Sequence, residues 1–266
     1  MPLTPPLTQE ECAAAVAEHS RGFAEAASGN FDAPVEFCPG WTVRDVVHHL
    51  TGVQWFWATL VEQGWTEQPD DLERPAPAND ETALDVFRAG AKRLVRVLAD
   101  ADPATPVWTW APTKQDAGFV IRHQVQEAVG HHWDVAHAAG RSVTISAAVG
   151  ADAVDEFLQF SVSSAADPAD PLPDPLDGRL GLACTDSDAS WLVTDGSAPG
   201  TAQVTAQVTA TSREALVADG VPVVIGTGGQ LLLWLYDRHG DPGGEANPGA
   251  VAPDLLQRFR GLCVTG

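Results

Sequence analysis

The sequence predicts an α+β protein: an N-terminal bundle of four amphipathic helices over residues 1–143, and a small C-terminal α+β domain over 144–266. Three observations point there. Before Gly140, apolar residues recur at helical spacing in four separate stretches, each bounded by capping residues, prolines or glycines. Beyond Arg141 the pattern changes to short alternating runs broken by a proline- and aspartate-rich segment. A chain of 266 residues, 44% of them hydrophobic, is long enough for two domains of ordinary size, each with its own core.

The first helix is "TQEECAAAVAEHSRGFAEAASG", where Thr8 and Glu11 have the T-x-x-E spacing of a capping box and Gly29 marks the end. In the second, "CPGWTVRDVVHHLTGVQWFWATLVEQG", Thr42 can cap the amide of Asp45. Its residues Val46, Leu50, Val53, Trp57 and Leu60 share a face, and Gly64 closes the run. The third spans about 80–99, with Leu84, Phe87, Leu94, Val95 and Leu98 as its apolar stripe. A loop rich in Pro and Trp leads to the fourth, about 118–139, which stops at Gly140. Four such helices imply a bundle whose interior can be furnished with a site. In the second domain "AAVGADAVDEFLQFSV" reads as a helix and the acidic proline stretch 166–178 as an exposed loop. "RLGLAC", "ASWLVTD" and "TAQVTAQVTAT" read as strands, and "GGQLLLWLYDRHG" and "APDLLQRFRGL" as helices.

Composition excludes several functions. A net charge of -21 repels phosphate backbones and anionic lipid, so nucleic acid and membrane surfaces are not expected partners. No apolar run reaches the roughly 18 residues of a membrane span, and "MPLTPPLTQEE" has neither the basic nor the apolar region of a signal peptide. Cys12, Cys38, Cys184 and Cys263 are widely separated and form no C-x-x-C pair, which suggests reduced thiols in the cytoplasm. A monomer or homodimer is expected. Lysine occurs only at Lys92 and Lys114, a codon habit of high-GC genomes.

The segment "EAVGHHWDVAHAAG" is the chemically richest. Glu127 and His131 are four apart on a helix and therefore lie on one face, whereas His132 points about 100° away. Two ligands make half of a tetrahedral site. In "WTVRDVVHHL" His49 lies one turn after Asp45 and two after Trp41, while His48 projects elsewhere. His49, Glu127 and His131 form the three-ligand type of set that leaves a zinc ion an open position. The same Glu–His spacing also describes a solvated ion pair, and periodicity alone does not bring the two helices together.

The motifs W-x-x-x-D-x-x-x-H-L, carried by Trp41, Asp45, His49 and Leu50, and E-x-x-x-H-x-W-D, carried by Glu127, His131, Trp133 and Asp134, resemble the mycothiol-dependent maleylpyruvate isomerase family. That resemblance implies a DinB-like metal-binding four-helix bundle followed by a sterol-carrier-protein-like domain. It also implies that His49, Glu127 and His131 hold a divalent metal, zinc above all. It implies mycothiol as thiol cosubstrate, hence an actinobacterial source. The segment "LLLWLYDRHG" resembles the family's C-terminal motif and implies an active-site role for Arg238. Asp237 stands where the family has glycine, and His132 where arginine is common.

A zinc-bound thiolate acting on a small electrophilic substrate would support either isomerisation or thiol S-transfer. A non-catalytic metal- or ligand-binding protein is the other reading of the same bundle. Several roles stay open at this level. Arg238 is either an anion clamp or a surface ion-pair partner. Asp134 and Asp45 either orient histidines or serve helix ends. His123, one turn before Glu127, is either a solvated histidine or a further ligand or proton shuttle. Trp41, Trp55, Trp57 and Trp133 are expected in the core, and Cys38 as a small buried thiol.

Overall fold

The Thr8 hydroxyl accepts the Glu11 amide at 3.2 Å and the Glu11 carboxylate accepts the Thr8 amide at 2.8 Å, so α1 (Gln9–Ala27) starts at a complete capping box. At α2 (Val43–Gln63) the Asp45 carboxylate accepts both the amide and the hydroxyl of Thr42, at 2.8 and 2.7 Å. These bonds hold the Asp45 carboxyl below its usual value. Gly64 ends α2 in the left-handed conformation, φ 62°, where a Cβ would be strained. Asn79 and Asp116 cap α3 (Asp80–Asp100) and α4 (Ala117–Ala138) by accepting the amides of Thr82 and Phe119.

The computed structural model describes residues 6–69, 72–75, 79–162, 174–197, 204–238, 246–249 and 251–263. It is α+β, with a helical unit spanning Leu7–Thr144 and a second unit that contains Ile145–Gly266. In the helical unit α1 packs against α3 and α4, and α2 against the same two helices from the diagonal corner. Phe23, Val46, Val47, Leu50, Phe87 and Val135 meet in the core, where the Phe23 and Phe87 rings stand 4.7 Å apart. Burying this apolar surface, at roughly 25 cal/mol per Å², drives the association of helices that would be marginal alone. With Leu50 pulled inward, its neighbour His49 faces the α2–α4 side.

One close approach ties α1 to α4. Gly22 lies against His132, and a Cβ there would sit 2.3 Å from the ring Cε1. The space lets the imidazole reach His19, Nδ1 to Nδ1 at 3.1 Å. Burial, and then the neighbouring His19, push the His132 pKa down to about 4.

In the second unit, α5 (Ala147–Phe160) is followed by β1 (Arg179–Cys184), β2 (Ser190–Ser197) and β3 (Val204–Ala210). Then come α6 (Arg213–Ala218), β4 (Val223–Gly226), α7 (Gly228–Leu235) and α8 (Pro253–Leu262). The sheet order is β3-β2-β1-β4, with β1 antiparallel to β2 and parallel to β4. Neither α6 nor β4 is anticipated from the sequence, because six and four residues are too short for periodicity to register. The helix expected over "GGQLLLWLYDRHG" ends at Leu235, two residues before Asp237 takes a positive φ of 57°. Gly150 of α5 and Gly228 of α7 bring two backbones together: a Cβ on Gly150 would lie 2.5 Å from the Gly228 carbonyl carbon. The part of the acidic proline loop over 166–173 lies outside the described residues, as do 239–240. Among the described residues no cysteine forms a disulfide, and no helix is long and apolar enough to cross a membrane.

Candidate metal centre

His49 comes from the first half of α2, and Glu127 and His131 come from successive turns of α4. The structure brings them together. One ligand atom from each lies within 4.8 Å of the others, and no other group of three or more His, Cys, Asp or Glu meets that criterion among the described residues. The His49 and His131 rings stand edge to face with centroids 5.0 Å apart, and Glu127 Oε2 is 3.7 Å from His131 Nε2. A tetrahedral zinc ion with bonds of about 2.0–2.1 Å holds its donors about 3.4 Å apart, so small rotations of these side chains would close the set on an ion. The donors suit such a cation: two imidazoles and one carboxylate, all half-buried.

The protonation states also suit it. Burial holds the His49 pKa below its usual value, the nearby His131 reinforces this, and Glu127 opposes it. A neutral imidazole offers a lone pair, which a protonated ring cannot. Asp134, fully buried, has Oδ2 3.2 Å from His131 Nδ1. With Nδ1–H donating to that carboxylate, Nε2 is the acceptor left to face Glu127 and a cation.

His123 forms a second brace. Its Nε2 is 3.5 Å from Glu127 Oε1, and its Nδ1 is 2.8 Å from Gln126 Nε2. The Gln126 amide donates to Nδ1, which leaves Nε2–H directed at Glu127. His123 is only 6% exposed and lies against Trp57, Trp110 and Phe119, so the solvated reading of this residue is overturned.

The other expected residues divide. Asp45 is engaged at the start of α2 by Thr42, which accounts for it as a helix cap. Trp57 and Trp133 are buried and Trp55 is half-buried, but Trp41 is 37% exposed, its ring 5.1 Å from that of His49. Trp41 therefore borders the site instead of filling the core. Cys38 is half-buried, with Sγ 4.0 Å from Asp134 Oδ2. His48 is exposed, and His132 faces α1, so neither joins the set. Arg238 belongs to the second unit, where its guanidinium donates to the Tyr236 carbonyl at 3.0 Å and lies 5.2 Å from the centre of the Tyr236 ring. The sequence gives no sign of two residues near the set: Gln126, whose position on α4 reads as surface, and Arg74, in an aperiodic loop.

A four-helix unit with a His/Glu/His set between two of its helices defines a candidate metal-binding bundle. Residues 12–136 match the family described as the mycothiol maleylpyruvate isomerase N-terminal domain. The matched stretch lies within the helical unit and contains His49, Glu127 and His131. Two solved structures are similar in fold. The crystal structure of a histidine-to-alanine mutant of the mycothiol-dependent maleylpyruvate isomerase aligns at 14% identity and a TM-score of 0.53, covering 86% of this chain and 88% of that one. A crystal structure of the mycothiol-dependent maleylpyruvate isomerase aligns at 14% identity and a TM-score of 0.51, covering 92% and 95%. No curated protein sequence matches the chain.

Proposed function

We propose that this protein is a metal-dependent enzyme that uses the thiol of mycothiol as a nucleophile on a small electrophilic substrate, in an isomerisation like that of maleylpyruvate isomerase or in an S-transfer. The observation that carries this reading is the convergence of His49, Glu127 and His131 inside a domain of the mycothiol maleylpyruvate isomerase family. A thiol with a pKa of about 8.5 is mostly protonated at neutral pH. A divalent cation, zinc in this proposal, held by those three residues would supply the charge that favours the thiolate.

The chain's own groups prepare that site. Asp134 fixes the His131 tautomer and His123 restrains one oxygen of Glu127, so the ligands keep their orientation while substrate exchanges. The mycothiol thiolate then adds to the electrophilic carbon: the C–S bond forms as the carbon–carbon π bond breaks, and its electron pair moves onto the conjugated carbonyl as an enolate. In isomerisation the former double bond turns as a single bond, and the C–S bond breaks with return of the thiol. In transfer the C–S bond persists and the enolate takes up a proton. Arg238 is proposed as the clamp for a substrate carboxylate and for negative charge that develops on addition.

Elemental analysis of the protein purified without added metal, repeated on His49→Ala, tests the centre. One divalent ion per chain, lost in the variant, is expected. Mass spectrometry after incubation with mycothiol and a panel of electrophiles, maleylpyruvate among them, then separates a stable conjugate from an isomerised product. A wild type without stoichiometric metal after reconstitution refutes the proposal, as does thiol-dependent turnover that a chelator leaves unchanged.

A further inference from the structure

Arg74, between α2 and α3, folds back over α2. A Cβ built on Gly52 would meet Arg74 Cδ at 3.3 Å and Nη1 at 3.8 Å, and the guanidinium carbon stands 5.1 Å from the centre of the Phe56 ring. Gly52 and Phe56 follow His49 at i+3 and i+7, so all three share one stripe of α2. A side chain at position 52 would press on the arginine stem, which would have to give by a few tenths of an ångström.

With 36 Asp and Glu against 15 Lys and Arg, an arginine is expected to find a carboxylate. Arg93, Arg96, Arg44 and Arg179 all do. Among the described residues no carboxylate pairs with Arg74, whose guanidinium has an aromatic platform instead. A guanidinium held over a ring keeps its hydrogen-bonding edge available for a planar oxyanion.

We infer that Arg74, seated on Gly52 and Phe56, binds the carboxylate of the substrate that reacts beside His49, Glu127 and His131. The inference rests on the function proposed above and adds a second anion-binding residue, one carried by the helical unit itself. At 1.5 Å of rise per residue, Gly52 and Phe56 lie about 5–10 Å along α2 from His49. The substrate is therefore a short organic acid whose carboxylate stands a few bonds from its electrophilic carbon. Arg74 acts on affinity for this acid and leaves metal capture alone.

Calorimetric titration of the full chain with succinate, and with succinamide as the uncharged control, tests this on metal-free and zinc-loaded protein. Wild type is expected to bind succinate more tightly than succinamide in both forms. Arg74→Gln should weaken succinate by about 10- to 100-fold, the range for a charge-assisted pair. Arg74→Lys should fall between the two, since an ammonium keeps the charge without the fork. Zinc stoichiometry and the unfolding midpoint should be unchanged in both variants. Equal succinate affinity in wild type and Arg74→Gln overturns the inference, and so does a wild type that does not discriminate succinate from succinamide. A chain that binds no zinc sinks the metal-dependent reading, while the metal-free titration still decides the role of Arg74.

Discussion

Replacing Gly22 with alanine puts the packing between α1 and α4 to a direct test. The added Cβ would stand 2.3 Å from His132 Cε1 and 2.5 Å from Nε2, about 1 Å inside ordinary contact. The ring must therefore move, and its 3.1 Å contact with His19 cannot survive the move. His19 is only 3% exposed, so the loss strands a buried polar group. That costs about 1–3 kcal/mol, and overpacking adds a similar amount. Alanine returns roughly 1 kcal/mol through its better helix propensity. A net destabilisation of about 3 kcal/mol follows. Gly90→Ala is the matched control: nothing lies within 4 Å of its Cβ position on α3, so a gain of up to about 1 kcal/mol is expected. Urea unfolding followed by tryptophan fluorescence reads the helical unit, which holds seven of the nine tryptophans, and the two units need not melt together. His132→Ala should remove the penalty of Gly22→Ala when the two are combined. If Gly22→Ala proves as stable as the wild type, the assignment of that space to the His132 ring is wrong.

Three further outcomes are expected. Because His132 titrates near 4 in the fold and near 6.5 when unfolded, its contribution to stability is complete above 6.5 and is lost as the pH falls towards 4. The loss is on the order of 3 kcal/mol, and His132→Leu should flatten this part of a plot of unfolding free energy against pH. His123→Ala should weaken zinc binding by about 10- to 100-fold in competition with a chromophoric chelator; an unaltered affinity would mean that Glu127 needs no brace. Gly150→Ala should destabilise the second unit by about 2–3 kcal/mol through the clash with Gly228, as seen in faster amide exchange of α5 and α7; unaltered protection would refute the close crossing.

Much of the bundle was legible because its signals are local. Thr8 with Glu11, Gly64 and Gly140 punctuate helices within a few residues of where they act, and apolar spacing defines each inward face. The His49, Glu127 and His131 set was legible as candidates because four-residue spacing places Glu127 and His131 on one face. Their meeting with His49 depends on packing that no short window contains. For the same reason the sequence misplaced Trp41, which has the composition of a core residue and an address at the site's edge. His123 looked solvated because its aromatic enclosure comes largely from α2 and the loop before α4. Arg74 gave no signal, since only folding lays its side chain across Gly52.

The half-exposed indole of Trp41, with its edge on the His49 ring, also gives the centre a native optical reporter. Indole emission responds to the charge and polarity of what lies beside it, so a cation captured by that imidazole changes the colour or brightness of this one fluorophore. Subtracting the spectrum of Trp41→Phe isolates it from the other eight. Occupancy can then be followed in real time without a dye or tag.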